Sequence, residues 1–207
     1  MINHEHKFIF LHIPKCAGIS IGRTLNKLTG IEEVYEGFKI HHDEFDEKIF
    51  KEYFVFTFVR NPLDRLYSEY KYREFLHKNY DFEYVVDNIE SLFEKHYDCT
   101  REDAREGTLE EIYKYYGEFI HLPNQYEFLK GKYSNNIDYL PYINYIGKYE
   151  TLSEDFNTIC KTLGLNTIDL PHNNISSLEK NYKEEYTDKL VEKVRDKYVD
   201  DVMHFNY

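Results

Sequence analysis

KFIFLHIPKCAGIS, from Lys7 to Ser20, decides the fold. Lys7 to Ile13 is a short apolar, β-prone run closed by Pro14, which predicts a strand. Beyond PKCAGIS the apolar period becomes helical, with Ile21, Leu25 and Leu28 at i, i+4 and i+7, and Gly30 supplies the stop. The same strand, loop and helix unit returns at Tyr53. There YFVFTFVR is apolar, Asn61 suits an N-cap, Pro62 suits the first helical position, and Leu63, Leu66, Tyr67 and Tyr70 form one face. KIHHDEFDEKIF, between the two, reads as a polar turn and a short helix. A third unit has YINYIGKYE as its strand. Its helix opens at Thr151, where Thr151 and Glu154 match the capping box, and runs through Phe156, Ile159, Cys160 and Leu163 to Gly164. From Tyr186 to Phe205, Leu190, Val194, Tyr198 and Val202 fall on one helical stripe.

This alternation predicts an α/β fold: a P-loop-like central sheet, mainly parallel, flanked by helices on both faces. The 207 residues fit a single domain over 1–207. A helical, aromatic-rich insertion on the acceptor side is expected at about 81–135, where charged and aromatic residues show no strand pattern. With 42% hydrophobic and 31% charged residues, the chain is neither disordered nor fibrous. No apolar run approaches the roughly 18 residues of a membrane span, and the start lacks the order of a signal peptide. Cys16, Cys99 and Cys160 are odd in number and without CxxC spacing, so reduced thiols in a cytoplasm are expected.

The formal charge of −12 argues against nucleic acid or an anionic membrane as the main partner, so any anion must be held by local cations. PKCAGIS has the parts to do so. Gly18 permits a tight turn, the amides of Ala17 to Ser20 meet the positive end of a helix dipole, and Lys15 and Ser20 add a charge and a hydroxyl. The Walker A pattern is absent, because the lysine precedes the glycine and Pro14 replaces the first glycine. Taken alone, the loop serves equally as a plain turn. Arg60, at the end of the second strand, needs an anionic partner; Ser68 follows eight residues later, with Arg65 available between them. A bland alternative pairs Arg60 with Asp64. Two anion sites at neighbouring strand ends describe a ligand carrying phosphates at two positions.

At these residues the chain resembles a known family. FIFLHIPKCAGISI resembles the 5′-phosphosulfate loop of the sulfotransferases, and FTFVRNPLDRLYSEY resembles their 3′-phosphate motif. The wording is that of the carbohydrate sulfotransferase branch, sulfotransferase family 2, and its soluble bacterial relatives. IGKYETLSEDF and YVDDVMHFNY resemble the family more weakly, and Ile19 departs from its usual Thr. The resemblance implies transfer of a sulfonate group from 3′-phosphoadenosine 5′-phosphosulfate (PAPS) to an acceptor, with 3′-phosphoadenosine 5′-phosphate (PAP) as product and no metal. It implies that Lys15 neutralises charge on the reacting groups, that Cys16, Ala17, Gly18, Ile19 and Ser20 line the loop, and that Arg60 and Ser68 hold the 3′-phosphate.

An acceptor hydroxyl must lose its proton as it attacks, and histidine is a natural base. His41 and His42 lie between the two units, where the related carbohydrate enzymes carry theirs. His41 is favoured slightly, a shared role stays open, and Asp43 either orients the imidazole or is itself the base. His12 alternates inside the first strand and is read as a packed residue. Tyr113, Tyr115, Tyr116 and Phe119 have helical spacing and are read as core before sugar platform. The expected partners are the nucleotide and a hydroxyl-bearing acceptor, a carbohydrate or glycolipid first. The competing readings are a non-sugar small-molecule acceptor, a non-catalytic nucleotide-binding module and, behind these, a P-loop kinase. The oligomeric state is not legible.

Overall fold

A computed structural model describes residues 1–31, 46–72, 74–94, 123–131, 137–168, 170 and 182–207. These residues divide into two compact units, Met1–Asn61 with Gln125–Ile175, and Pro62–Asn124 with Ser176–Tyr207.

The first unit holds a four-stranded sheet in the order β1-β2-β3-β4. β2 (Phe8–Leu11) pairs in parallel with β3 (Phe54–Val59), and β3 with β4 (Tyr145–Lys148). The short β1 (Ile2–Asn3) adds an antiparallel edge. The fold is therefore the α/β arrangement with a mostly parallel sheet that the alternation predicts. β2 and β3 read as unbroken apolar runs because both of their faces are covered. Phe8, Phe10 and Phe56 make one aromatic layer, with the Phe10 and Phe56 rings stacked at 5.3 Å. Thr57, the one polar residue inside β3, donates its hydroxyl proton to the Leu11 carbonyl at 2.7 Å.

Helix α1 (Gly18–Leu28) buries Ile21 and Leu25, and α2 (Glu47–Glu52) buries Phe50. The short α6 (Gln125–Leu129) and α7 (Leu152–Thr162) also belong to this unit, with Phe156, Ile159 and Cys160 fully buried on α7. Gly164, at φ 68°, ends α7 by letting the Leu165 N–H reach back to the Cys160 carbonyl at 2.8 Å. The predicted capping box does not form. Thr151 is the N-cap but makes no side-chain cap bond; its hydroxyl donates instead to Asp155 Oδ2 at 2.6 Å. Asp155 also accepts from the Lys148 N–H and the Tyr145 hydroxyl, so this carboxylate ties the end of β4 to the helix.

The second unit is helical: α3 (Pro62–Tyr72), α4 (Glu74–Asn79), α5 (Phe82–Glu94), α8 (Asp188–Lys197) and α9 (Val199–Phe205). Leu66, Tyr67, Tyr70, Leu76, Phe82, Val85, Val194 and Tyr198 form its core. The tail is not one continuous helix. The backbone leaves helical geometry at Tyr198 (φ −109°, ψ 34°), so Leu190, Val194 and Tyr198 are buried while Val202 sits on the next helix, partly exposed. Of the stretch at about 81–135, residues 82–94 fall in this unit and 125–129 in the sheet unit. Tyr113, Tyr115, Tyr116 and Phe119 lie outside the described residues.

Candidate active site

The strand-to-helix loop after β2 turns by an unexpected device. Lys15 and Ala17 adopt left-handed backbone conformations at φ 68° and 63°, whereas Gly18 does not and is the first residue of α1. Such conformations cost non-glycine residues about 1 kcal/mol or more each. Gly18 answers a different need. The His12 imidazole packs directly against it, and a Cβ at position 18 would run into the ring. His12 is buried, as expected of a packed residue, and stacks on Phe10 at 5.9 Å.

The Cys16 N–H is bound to the Ile13 carbonyl at 3.4 Å, and the Ala17 carbonyl takes the first helical bond, from Ile21 N–H, at 3.0 Å. The opening turn of α1 has N–H groups with no intrahelical acceptor. Left-handed residues ahead of a helix gather main-chain N–H groups on a concave side, a shape that suits an anion. Lys15 and Ile19 are half-buried beside it; Cys16, Gly18 and Ser20 are buried.

At the end of β3, Arg60 is held on every side. Its N–H donates to Gln125 Oε1 at 2.8 Å, and Gln125 Nε2 donates to its carbonyl at 2.8 Å. Its guanidinium donates from Nη1 to the Lys15 carbonyl at 3.0 Å and lies 3.9 Å over the Tyr149 ring, a cation–π arrangement. The next N–H, of Asn61, donates to Glu150 Oε1 at 2.7 Å. Arg60 thus binds the loop through its backbone carbonyl and Tyr149 through a ring face. Lys15 and Arg60 stand where parallel strands end, the edge at which open α/β sheets place their ligands, and the Arg60 side chain bonds the Lys15 main chain.

Of the predicted site residues, Lys15, Cys16, Ala17, Gly18, Ile19, Ser20 and Arg60 lie together in the sheet unit. Ser68 is half-buried on α3 of the helical unit. Arg65, also on α3, is buried, and its Nη1 donates to the Pro123 carbonyl at 2.8 Å. His41, His42 and Asp43 lie outside the described residues. Gln125, Tyr149 and Glu150 escaped the sequence reading. Gln125 left one signal: it shares a buried face with Phe128 and Leu129 at i+3 and i+4, where an apolar residue belongs. Tyr149 and Glu150 stand just past β4, at the same strand-end edge as the other two junctions.

The donor set fits a multiply charged phosphate ester: two cations, an uncapped helix start and a shaped loop. The family model described as Sulfotransferase family matches residues 1–207. No curated protein and no solved structure gives a significant match.

Proposed function

The chain belongs to the sulfotransferase family and is a PAPS-dependent enzyme, and from that premise we propose that it transfers the sulfonate group to a hydroxyl of a carbohydrate or glycolipid. The observation that carries this reading is the meeting of Lys15 and Arg60 at adjoining strand ends, with Arg60 bonded to the Lys15 carbonyl. In the proposed reaction the acceptor oxygen attacks sulfur in line, the bond from sulfur to the bridging oxygen breaks, and PAP leaves with that electron pair. Lys15 offsets the charge gathering on the leaving phosphate, and the loop from Cys16 to Ser20 orients it. Arg60 and Ser68 hold the 3′-phosphate. His41 or His42 takes the acceptor's proton, with Asp43 orienting the ring.

No described helix is long and apolar enough to cross a membrane. Cys16 and Cys160 are both buried thiols outside any disulfide, which supports the proposal that the enzyme works in the reducing cytoplasm. Burial pushes the Cys160 thiol up to about 11, which keeps it protonated and inert.

A thermal-shift comparison of PAP with ATP tests the nucleotide. PAP is expected to raise the melting temperature and ATP to leave it nearly unchanged, because only a ligand of the folded state stabilises it. A larger shift with ATP would sink the assignment. For the base, His41→Ala combined with His42→Ala should leave PAP binding intact and lower transfer by about 10²- to 10⁴-fold. Full activity of that double variant would move the proton to a carboxylate such as Asp43 or Glu44.

A further inference from the structure

Gln125 joins the two strand ends, and the reaction as proposed makes no use of it. Its side chain is fully buried at the start of α6. Oε1 accepts both the Cys16 thiol proton, at 3.1 Å, and the Arg60 N–H, while Nε2 donates to the Arg60 carbonyl. One rigid carboxamide therefore holds the phosphate loop with one edge and brackets the backbone of Arg60 with both. A second tie, from Arg60 Nη1 to the Lys15 carbonyl, starts from the residue that Gln125 fixes.

The site accepts few substitutes. It needs an acceptor for two protons and a donor in the same plane, without a buried charge. A leucine would leave the Arg60 N–H and carbonyl unmatched. An asparagine falls one methylene short.

We propose that Gln125 is a positioning residue that sets the spacing between the Lys15 loop and Arg60, and thereby the preference for a nucleotide with phosphates at both its 3′ and 5′ positions. The proposal rests on the reading that Lys15 and Arg60 serve those two groups.

Calorimetric titration with PAP and with adenosine 5′-phosphate tests it, on the wild type, Gln125→Glu and Cys16→Ala. The wild type is expected to prefer PAP strongly. In Gln125→Glu the ionised side chain keeps the accepted bonds but turns an oxygen on the Arg60 carbonyl, so the preference should fall about tenfold. As the pH is lowered and this buried carboxyl takes up a proton, it again offers one acceptor and one donor. The preference, relative to wild type at the same pH, should then return, which a merely structural role would not produce. Cys16→Ala cuts only the tie to the loop and should lower the preference for PAP too, by roughly two- to tenfold. A Gln125→Glu protein that melts cooperatively and keeps the wild-type preference at alkaline pH would overturn the proposal. So would Cys16→Ala with an unchanged preference, the deciding result if Gln125→Glu does not fold. A wild type that binds both nucleotides equally would overturn the role of Arg60 itself, and this one with it.

Discussion

The end of β2 and the end of β3 lie side by side in register, yet they are built on opposite plans. After β2 the chain is shaped from within, by two left-handed residues and a glycine that makes room for the His12 ring. After β3 it is shaped from outside, by Gln125 and Glu150, which grip the N–H groups of Arg60 and Asn61 from 65 and 89 positions away. The first plan yields a turned backbone that carries the half-buried Lys15 at the strand end. The second yields a cation whose backbone N–H and carbonyl are both bonded to one side chain. That division suits a reaction in which one end of a nucleotide changes charge while the other only has to be held.

The strongest test of the contrast is Lys15→Ala. If the first strand end serves the reacting group, turnover should fall by about 10²- to 10³-fold with little change in melting temperature, measured as the transfer rate at saturating donor. Near-normal turnover in a folded variant would leave the two ends without functional distinction. Gly18→Ala comes next. The new methyl meets the His12 ring, and overpacking of this kind costs about 1–3 kcal/mol, readable by denaturant unfolding. Adding His12→Ala should recover part of that loss, because the two residues touch. Additive losses would mean that the ring is not the obstacle.

Ala17→Gly sharpens the comparison in the other direction. Glycine relieves the left-handed conformation at Ala17, and the gain, offset by the entropy of a freer unfolded chain, should stay within about 1 kcal/mol of wild type. The corresponding change at the second end, Glu150→Ala, removes the acceptor of the Asn61 N–H and should cost up to about 1 kcal/mol. The smallest effect concerns pH. Burial, and then the bond to Asp155, push the Tyr145 phenol up to about 12 from its ordinary value of 10.0. A phenol that holds its proton more tightly when folded contributes stability that is complete below pH 10.0 and lost as the pH rises towards 12. Tyr145→Phe should shrink that alkaline loss in pH-dependent melting; an unchanged slope would assign it elsewhere, Tyr186 first.

The same contrast explains what could be read in advance. β2, β3, α1 and α3 carry local signals: apolar runs, a helical period, Pro62 after Asn61, Gly30 and Gly164 as stops. Lys15 and Arg60 were legible because each stands at the end of such a run. Gln125 and Glu150 were not, since their partners are set by sheet register, which a single chain does not print. Gly18 was read as the residue that bends, when Lys15 and Ala17 bend and Gly18 yields space. The capping box failed for a related reason: Asp155, one position beyond Glu154, is bonded to the end of β4 and takes the Thr151 hydroxyl.

The parallel pairing of β3 with β4 has a consequence for how the protein is born. Phe56 finds its partner Tyr145 only after some ninety further residues have been synthesised. At a ribosomal rate of about 5–20 residues per second, that leaves an apolar ribbon without its neighbour for on the order of 5 to 20 seconds. Closing so wide a loop is also slow in refolding, where distant pairings govern the rate. A nascent chain of this enzyme therefore passes through a sticky stage of predictable length, and a rare-codon pause just after residue 60 would prolong it.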